Sequence, residues 1–183
     1  MKTIKENQKL AGEVLKKKFG FTSVMQSPRF TKVVVSTGVG SVKDKKKLEL
    51  IADRMARITG QKAALRGSKK SIASFKVRQG DPVGYQVTLR GERMYDFIDK
   101  LLNIALPRTK DFRGISRNGI DNMGNYSLGI KENTIFPENT DEELKDVFGV
   151  GITFVTTSKK PEHTLAFLEA LNFPFKKEEK GKK

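Results

Sequence analysis

The chain has 183 residues, no cysteine, 37% hydrophobic and 31% charged residues, and a formal net charge of +15. That length accommodates one domain with a proper core, and the missing thiols exclude disulfides, thiolate nucleophiles and cysteine-type zinc sites. The positive excess is confined to one half: residues 1–90 hold 21 Lys and Arg against 6 Asp and Glu, whereas residues 91–183 hold 15 of each. A field so lopsided points to a polyanion, either nucleic acid or an anionic membrane surface, because each Lys or Arg that neutralises a phosphate also releases a counterion.

In chain order, Thr3 with Glu6 forms a capping-box pattern ahead of Ile4, Leu10, Ala11, Val14, Leu15 and Phe19, and Gly20 ends the predicted helix. This charged amphipathic start lacks the features of a cleaved leader, and no apolar run is long enough to span a bilayer, so the cytoplasm is the expected location. Residues 30–36 are β-branched and read as a strand, with a turn at Thr37-Gly38-Val39-Gly40 leading into a helix near Asp44. Its stripe of Leu48, Ile51, Ala52, Met55 and Ile58 stops at Gly60.

Two alternating runs, 71–78 and 83–90, joined through Gln79-Gly80-Asp81-Pro82, predict a hairpin with one dry and one wet face. Phe75 and Tyr85 fall on the dry face; Lys76, Arg78, Gln86, Thr88 and Arg90 fall on the wet one, extended by Lys32 and Ser36. Helices are expected from Gly91 to just before Pro107 and from Pro161 onward, as cover for the dry face. Residues 108–124 read as an extended surface loop, and further strands are expected at Tyr126–Ile130, Thr134–Phe136 and Ile152–Thr157. The fold class is therefore α+β: a largely antiparallel sheet with helices on one face and the other face open for RNA. Residues 1–175 are expected to form a single domain and 176–183 a charged, flexible tail.

No residue set argues for catalysis, a metal or another cofactor. His163 is the only histidine; Gly38-Val39-Gly40 resembles the start of a dinucleotide loop, but position 43 is Lys; and Glu138, Asp141, Glu142, Glu143 and Asp146 form an acidic run rather than an isolated pair. The wet face suits RNA, because hydroxyls and amides bond base edges and 2′-hydroxyls while Arg and Lys hold phosphates. With its rings on the dry side, this face favours hydrogen bonding and shape over stacking. A second basic stretch, Lys62, Arg66, Lys69, Lys70, Lys76 and Arg78, leads to a protruding tip that could reach another anionic partner. A nucleotide- or RNA-processing enzyme and a peripheral membrane binder are the alternatives of other classes.

The ordered runs Ile58-Thr59-Gly60-Gln61-Lys62, Phe75-Lys76-Val77-Arg78-Gln79-Gly80, Val87-Thr88-Leu89-Arg90-Gly91, Asp111-Phe112-Arg113-Gly114, Gly124-Asn125-Tyr126 and Ile135-Phe136-Pro137-Glu138 carry a resemblance. Over roughly residues 3–175 the chain resembles large-subunit ribosomal protein five in its bacterial form. The resemblance implies a structural constituent of the large ribosomal subunit, located in the cytoplasmic ribosome, that binds 5S rRNA in the central protuberance beside large-subunit rRNA. By position it implies 5S rRNA contacts at Ser36, Gln61, Thr88 and Arg90, with Ser36 standing where the family usually has Asn. It also implies a loop reaching peptidyl-site tRNA, carrying Lys69, Lys70, Lys76, Arg78 and Gln79. The surface from Arg108 to Phe148 would meet a basic protein of the small-subunit head across an intersubunit bridge, the acidic run giving an electrostatic reason.

Overall fold

The computed structural model describes residues 3–42, 44–110, 112–139 and 147–176. The first helix, α1 (Ile4–Phe19), begins as its capping box dictates: the Thr3 hydroxyl accepts from Glu6 N–H, and the Glu6 carboxylate accepts from Thr3 N–H at 3.2 Å. It ends at Gly20, and α2 (Lys45–Thr59) likewise runs from an Asp44 cap to Gly60, both glycines lying in the left-handed region. The strands are β1 (Phe30–Gly38), β2 (Ala64–Gly67), β3 (Pro82–Leu89), β4 (Tyr126–Ile130) and β5 (Val150–Thr156). They form one antiparallel sheet in the order β2-β3-β1-β5-β4, with β1 at its centre. With α3 (Gly91–Lys100) and α4 (Pro161–Ala170), the class is the expected α+β.

Pairing register explains the core. Val35 faces Val87 and Ile152, and Val33 faces Leu89 and Phe154, so alternate residues of the three inner strands present a continuous apolar surface. Leu15 of α1, Met55 and Ile58 of α2, Phe97 and Ile98 of α3, and Phe167 and Leu168 of α4 pack onto it in one cluster. Phe154, fully buried, holds the rings of Phe30, Tyr126 and Phe173 at 5.9, 6.0 and 5.5 Å. Burial also pushes the Tyr126 phenol up to about 12, while its hydroxyl donates to the Ser116 carbonyl at 2.9 Å.

Several sequence expectations give way. The first strand of the predicted hairpin is not at 71–78: β3 pairs instead with β2, a four-residue edge strand exposed throughout and therefore without a hydrophobic alternation to betray it. Lys76 and Arg78 accordingly leave the sheet, and Phe75, expected on the dry face, is 75% exposed. Thr134–Phe136 is not a strand, since Asn133–Ile135 forms a single 3₁₀ turn. The helix from Gly91 loosens at Leu101–Ala105 into a π-helical turn, and a 3₁₀ turn at Leu106–Arg108 takes in Pro107. On α1, Leu10 and Val14 stay exposed, so the buried stripe narrows to Ile4, Ala11, Gly12 and Leu15. Residues 108–124 are not wholly superficial: Ile115 is buried and bridges to Phe175. The expected tail lies outside the described residues beyond Lys176, whose N–H donates to the Ile115 carbonyl at 3.0 Å.

Candidate nucleic-acid interface

The sheet face opposite the core is built by the residues between those that face inward. Because directly paired residues share a face, the register lays Ala64, Gln86, Ser36, Gly151 and Gly129 in one row across all five strands. A second row runs Thr88, Val34, Thr153 and Ser127, and a third joins Arg66, Gly84 and Gly38. Residues of these rows are exposed or half-buried, and on β1, β5 and the second half of β3 they alternate with buried neighbours.

Small side chains make this surface low, and its polar groups are held in place. Ser36 Oγ donates to the Gly151 carbonyl at 3.4 Å, the Ser127 and Thr153 hydroxyls lie 3.1 Å apart, and Arg66 Nε donates to Gln86 Oε1 at 2.8 Å. Fixed hydroxyls and an amide offer hydrogen bonds at defined points, while Lys32, Arg66 and Arg90 bring positive charge to the margin. The described strands present no aromatic ring on this face: Phe30, Tyr126 and Phe154 are buried, and Tyr85 packs against the core. Such a surface offers hydrogen-bonding groups at fixed points and no ring on which a base could stack.

Of the four residues singled out from the resemblance, Ser36 and Thr88 stand on this face, in neighbouring rows. Arg90 lies just past β3 as the residue before α3, but its extended backbone (φ −141°, ψ 166°) after buried Leu89 keeps it in the same alternation as Gln86 and Thr88; it is exposed, with no side-chain cap bond to the helix. Gln61 is exposed just after the Gly60 cap, and antiparallel pairing of Ala64 with Gln86 brings the chain upstream of β2 back toward the Thr88–Arg90 end of β3. The sequence reading missed Gly151, Thr153, Ser127 and Gly129, and it placed Arg66 in the basic stretch leading to the tip rather than beside Gln86. The alternation of Val150, Ile152 and Phe154 with Gly151 and Thr153 was the available signal for the first two.

Residues 68–81 leave the sheet between β2 and β3 as an arm closed upon itself. Ser68 N–H donates to Asp81 O and Gly80 N–H to Ser68 O at the base; Ile72 and Val77 exchange backbone bonds of 2.9 and 3.3 Å nearer the tip. Arg78 N–H donates to the Asp81 carboxylate at 2.7 Å and Gln79 N–H to Ser71 Oγ at 2.9 Å, so the arm keeps its shape without a core. Lys69, Lys70, Lys76, Arg78 and Gln79 are all exposed on it, and Lys76 sits at the tip turn with φ of 52°.

Chemistry of other kinds finds little here. His163 packs against Phe19 and Phe21 at 4.5 and 5.3 Å as part of the α1–α4 contact, and no group of three or more metal-ligating side chains occurs among the described residues. No described helix is long and apolar enough to cross a membrane. Asp121 serves its own turn: burial raises its pKa, but the side-chain and backbone N–H groups of Asn125 and the N–H of Met123 outweigh this and hold it below the usual 3.8.

Comparison with known proteins gives two matches to family models. Residues 23–78 match the one described as ribosomal protein L5, and residues 82–175 match the one described as the C-terminus of that same ribosomal family. The chain is 51% identical over 164 residues to large ribosomal subunit protein uL5 of Flavobacterium johnsoniae, covering 89% of this chain and 90% of that protein. The Thermoanaerobacter uL5 is 49% identical over 89% of this chain and 92% of its own length, and that of Ureaplasma parvum 51% identical over 89% of each.

Proposed function

Because this chain belongs to the ribosomal protein L5 family, we propose that it anchors 5S rRNA in the central protuberance of the large ribosomal subunit through the polar face of its sheet. It is a structural component of the ribosome and not an enzyme. The observation that carries the reading is the row Gln86–Ser36–Gly151, small and hydrogen-bonding, adjoining Thr88. Ser36 and Thr88 meet base edges and 2′-hydroxyls; Gln61 and Arg90 close the site at one end, Arg90 on phosphate or a guanine edge. The remaining basic surface of the first half sits against phosphates of 5S and large-subunit rRNA.

Two further contacts belong to the same reading. The arm at 68–81 reaches peptidyl-site tRNA with Lys69, Lys70, Lys76, Arg78 and Gln79, a role supported by its exposed cations and self-contained bonding. The Arg108–Phe148 surface meets a basic protein of the small-subunit head. The charge argument for this contact lies mainly in Asp141, Glu142, Glu143 and Asp146, outside the described residues, since Glu138 is paired with Lys100 at 2.6 Å.

Titrating purified 5S rRNA with the full chain at several salt concentrations tests the central claim. With roughly six phosphates neutralised, log affinity falls against log salt with a slope of about −4 to −5, so a fourfold rise in salt costs about a thousandfold. A flat slope, or equal affinity for an unrelated RNA of the same length, overturns it.

A further inference from the structure

Arg66 on β2 and Gln86 on β3 do not stand directly opposite each other. Register sets Arg66 against Gly84 and Gln86 against Ala64, so the two side chains share the outer face as diagonal neighbours. The Arg66 side chain spans that diagonal, and its Nε donates to Gln86 Oε1 at 2.8 Å. Its own row offers no obstruction, since Gly84 and Gly38 follow it across β3 and β1. The sheet itself requires Gly84, where a Cβ would stand 2.8 Å from the Thr37 carbonyl oxygen, whereas a Cβ at Gly38 would meet nothing within 4 Å. Bare backbone therefore lies beside the Arg66–Gln86 pair, where a flat ligand can come close.

The bond fixes the sense of both groups. A guanidinium has no acceptor, so the carbonyl end of the Gln86 amide must face Arg66, and the Nε2 end, with its two N–H donors, is turned away from it. Gln86 is half-buried, which limits its other poses, while Arg66 is exposed. Arg66 is in no ion pair with a described residue, and no carboxylate stands in any of the three rows of this face. Its two Nη groups therefore remain available, and the pair presents donors only.

We propose that Arg66 is a positioning residue for Gln86, and that the pair reads the Hoogsteen edge of a guanine in the bound RNA. The inference rests on the sheet face being the 5S rRNA site. Guanine alone sets two acceptors, N7 and O6, side by side on that edge; adenine places a donor beside N7, cytosine offers a donor, and uracil a single acceptor. Left to itself a glutamine reads adenine, with its carbonyl on N6–H and its amide on N7. Once Arg66 holds the carbonyl, that mode is lost, so Arg66 sets the choice of base as well as the pose of the amide. Such an edge is within reach where the RNA splays a base out of its helix.

The full chain, its Arg66→Lys and Gln86→Ala variants and the double variant are titrated with purified 5S rRNA, circular dichroism checking that each folds. Each single substitution weakens binding about tenfold, and the double variant is no more than about threefold weaker than either, because the two residues act as one. Lysine keeps the charge but has one nitrogen, which cannot hold the amide and meet the base together, so the salt slope of Arg66→Lys stays that of the wild type. Transcribing 5S rRNA with 7-deazaguanosine, which lacks the N7 acceptor, costs the wild type about tenfold more than it costs the double variant. Wild-type affinity in Arg66→Lys overturns the inference and leaves Arg66 a phosphate contact through charge alone. Effects that multiply in the double variant overturn it too, as does a 7-deazaguanosine penalty equal in both proteins. In those three cases the wild type still prefers 5S rRNA to an unrelated RNA, and the sheet-face reading stands; a wild type without that preference overturns both.

Discussion

The Ser36 hydroxyl on β1 donates to the carbonyl of Gly151 on β5, and a Cβ at Gly151 would come within 3.2 Å of that same oxygen. One small residue thus stands beside another where the sheet face is lowest, which lets a rigid ligand approach the backbone closely.

Gly151→Val tests that relief. The Ser36 hydroxyl can rotate out of the way and a β-branched residue suits a strand, so the thermal midpoint stays within a few degrees, roughly the effect of 1 kcal/mol or less. Affinity for 5S rRNA falls about tenfold or more, because the isopropyl group lifts the ligand off Ser36 and Gln86. Unaltered binding with the fold intact would remove this row from the interface.

Arg90→Ala separates contact from stability. Its side chain is exposed and makes no cap bond to α3, so unfolding by urea is changed by no more than about 0.5 kcal/mol. The loss of a charged contact to RNA costs about 1–3 kcal/mol in 5S rRNA affinity, measured by filter binding.

Replacing Lys69, Lys70, Lys76 and Arg78 together by Ala disarms the arm alone. Since its bonds close within 68–81, the sheet face is untouched and 5S rRNA affinity holds within about threefold. Crosslinking to peptidyl-site tRNA in assembled ribosomes is lost. If instead the 5S salt slope shrinks by about 0.9 for each cation removed, the arm belongs to the 5S site.

Tyr126 gives a pH test of the core. Its folded pKa, raised by burial to about 12, exceeds the ordinary 10, so its protonated form contributes stability that is complete below pH 10 and disappears as pH rises through 12. Tyr126→Phe loses the bond to Ser116, costing about 0.5–1.5 kcal/mol at neutral pH, and shows a shallower fall in stability between pH 10 and 12. Parallel alkaline unfolding of the two proteins would contradict this assignment.

Local chemistry was readable wherever it acts within a few residues. Thr3 with Glu6, Asp44, Gly20 and Gly60 bound two helices as their cap patterns dictate, and the alternation in 83–90 and the β-branched run at 30–36 marked the two strands whose pairing sets Ser36 opposite Gln86. The same rule misled at 71–78: alternation there met no opposing surface, and Phe75 stayed in solvent on an arm closed by its own backbone bonds. Arg90 lies beyond the last strand residue, Leu89, and before the first helical one, Gly91, yet its backbone stays extended and carries the alternation of Gln86 and Thr88 one step further.

By itself the sequence determined the concentration of charge in one half, the boundaries of α1 and α2 and the family, since composition, caps and ordered motifs are properties of neighbours along the chain. Which strand lies at each edge, that Gly151 and Gly129 complete the row begun by Ser36, and that Arg66 meets Gln86 on the outer face were decided only in three dimensions. Those features join residues up to 115 positions apart, as Ser36 and Gly151 are, and they depend on register and on which surfaces remain uncovered. No local preference encodes either, because pairing is chosen by the burial of the whole core at once.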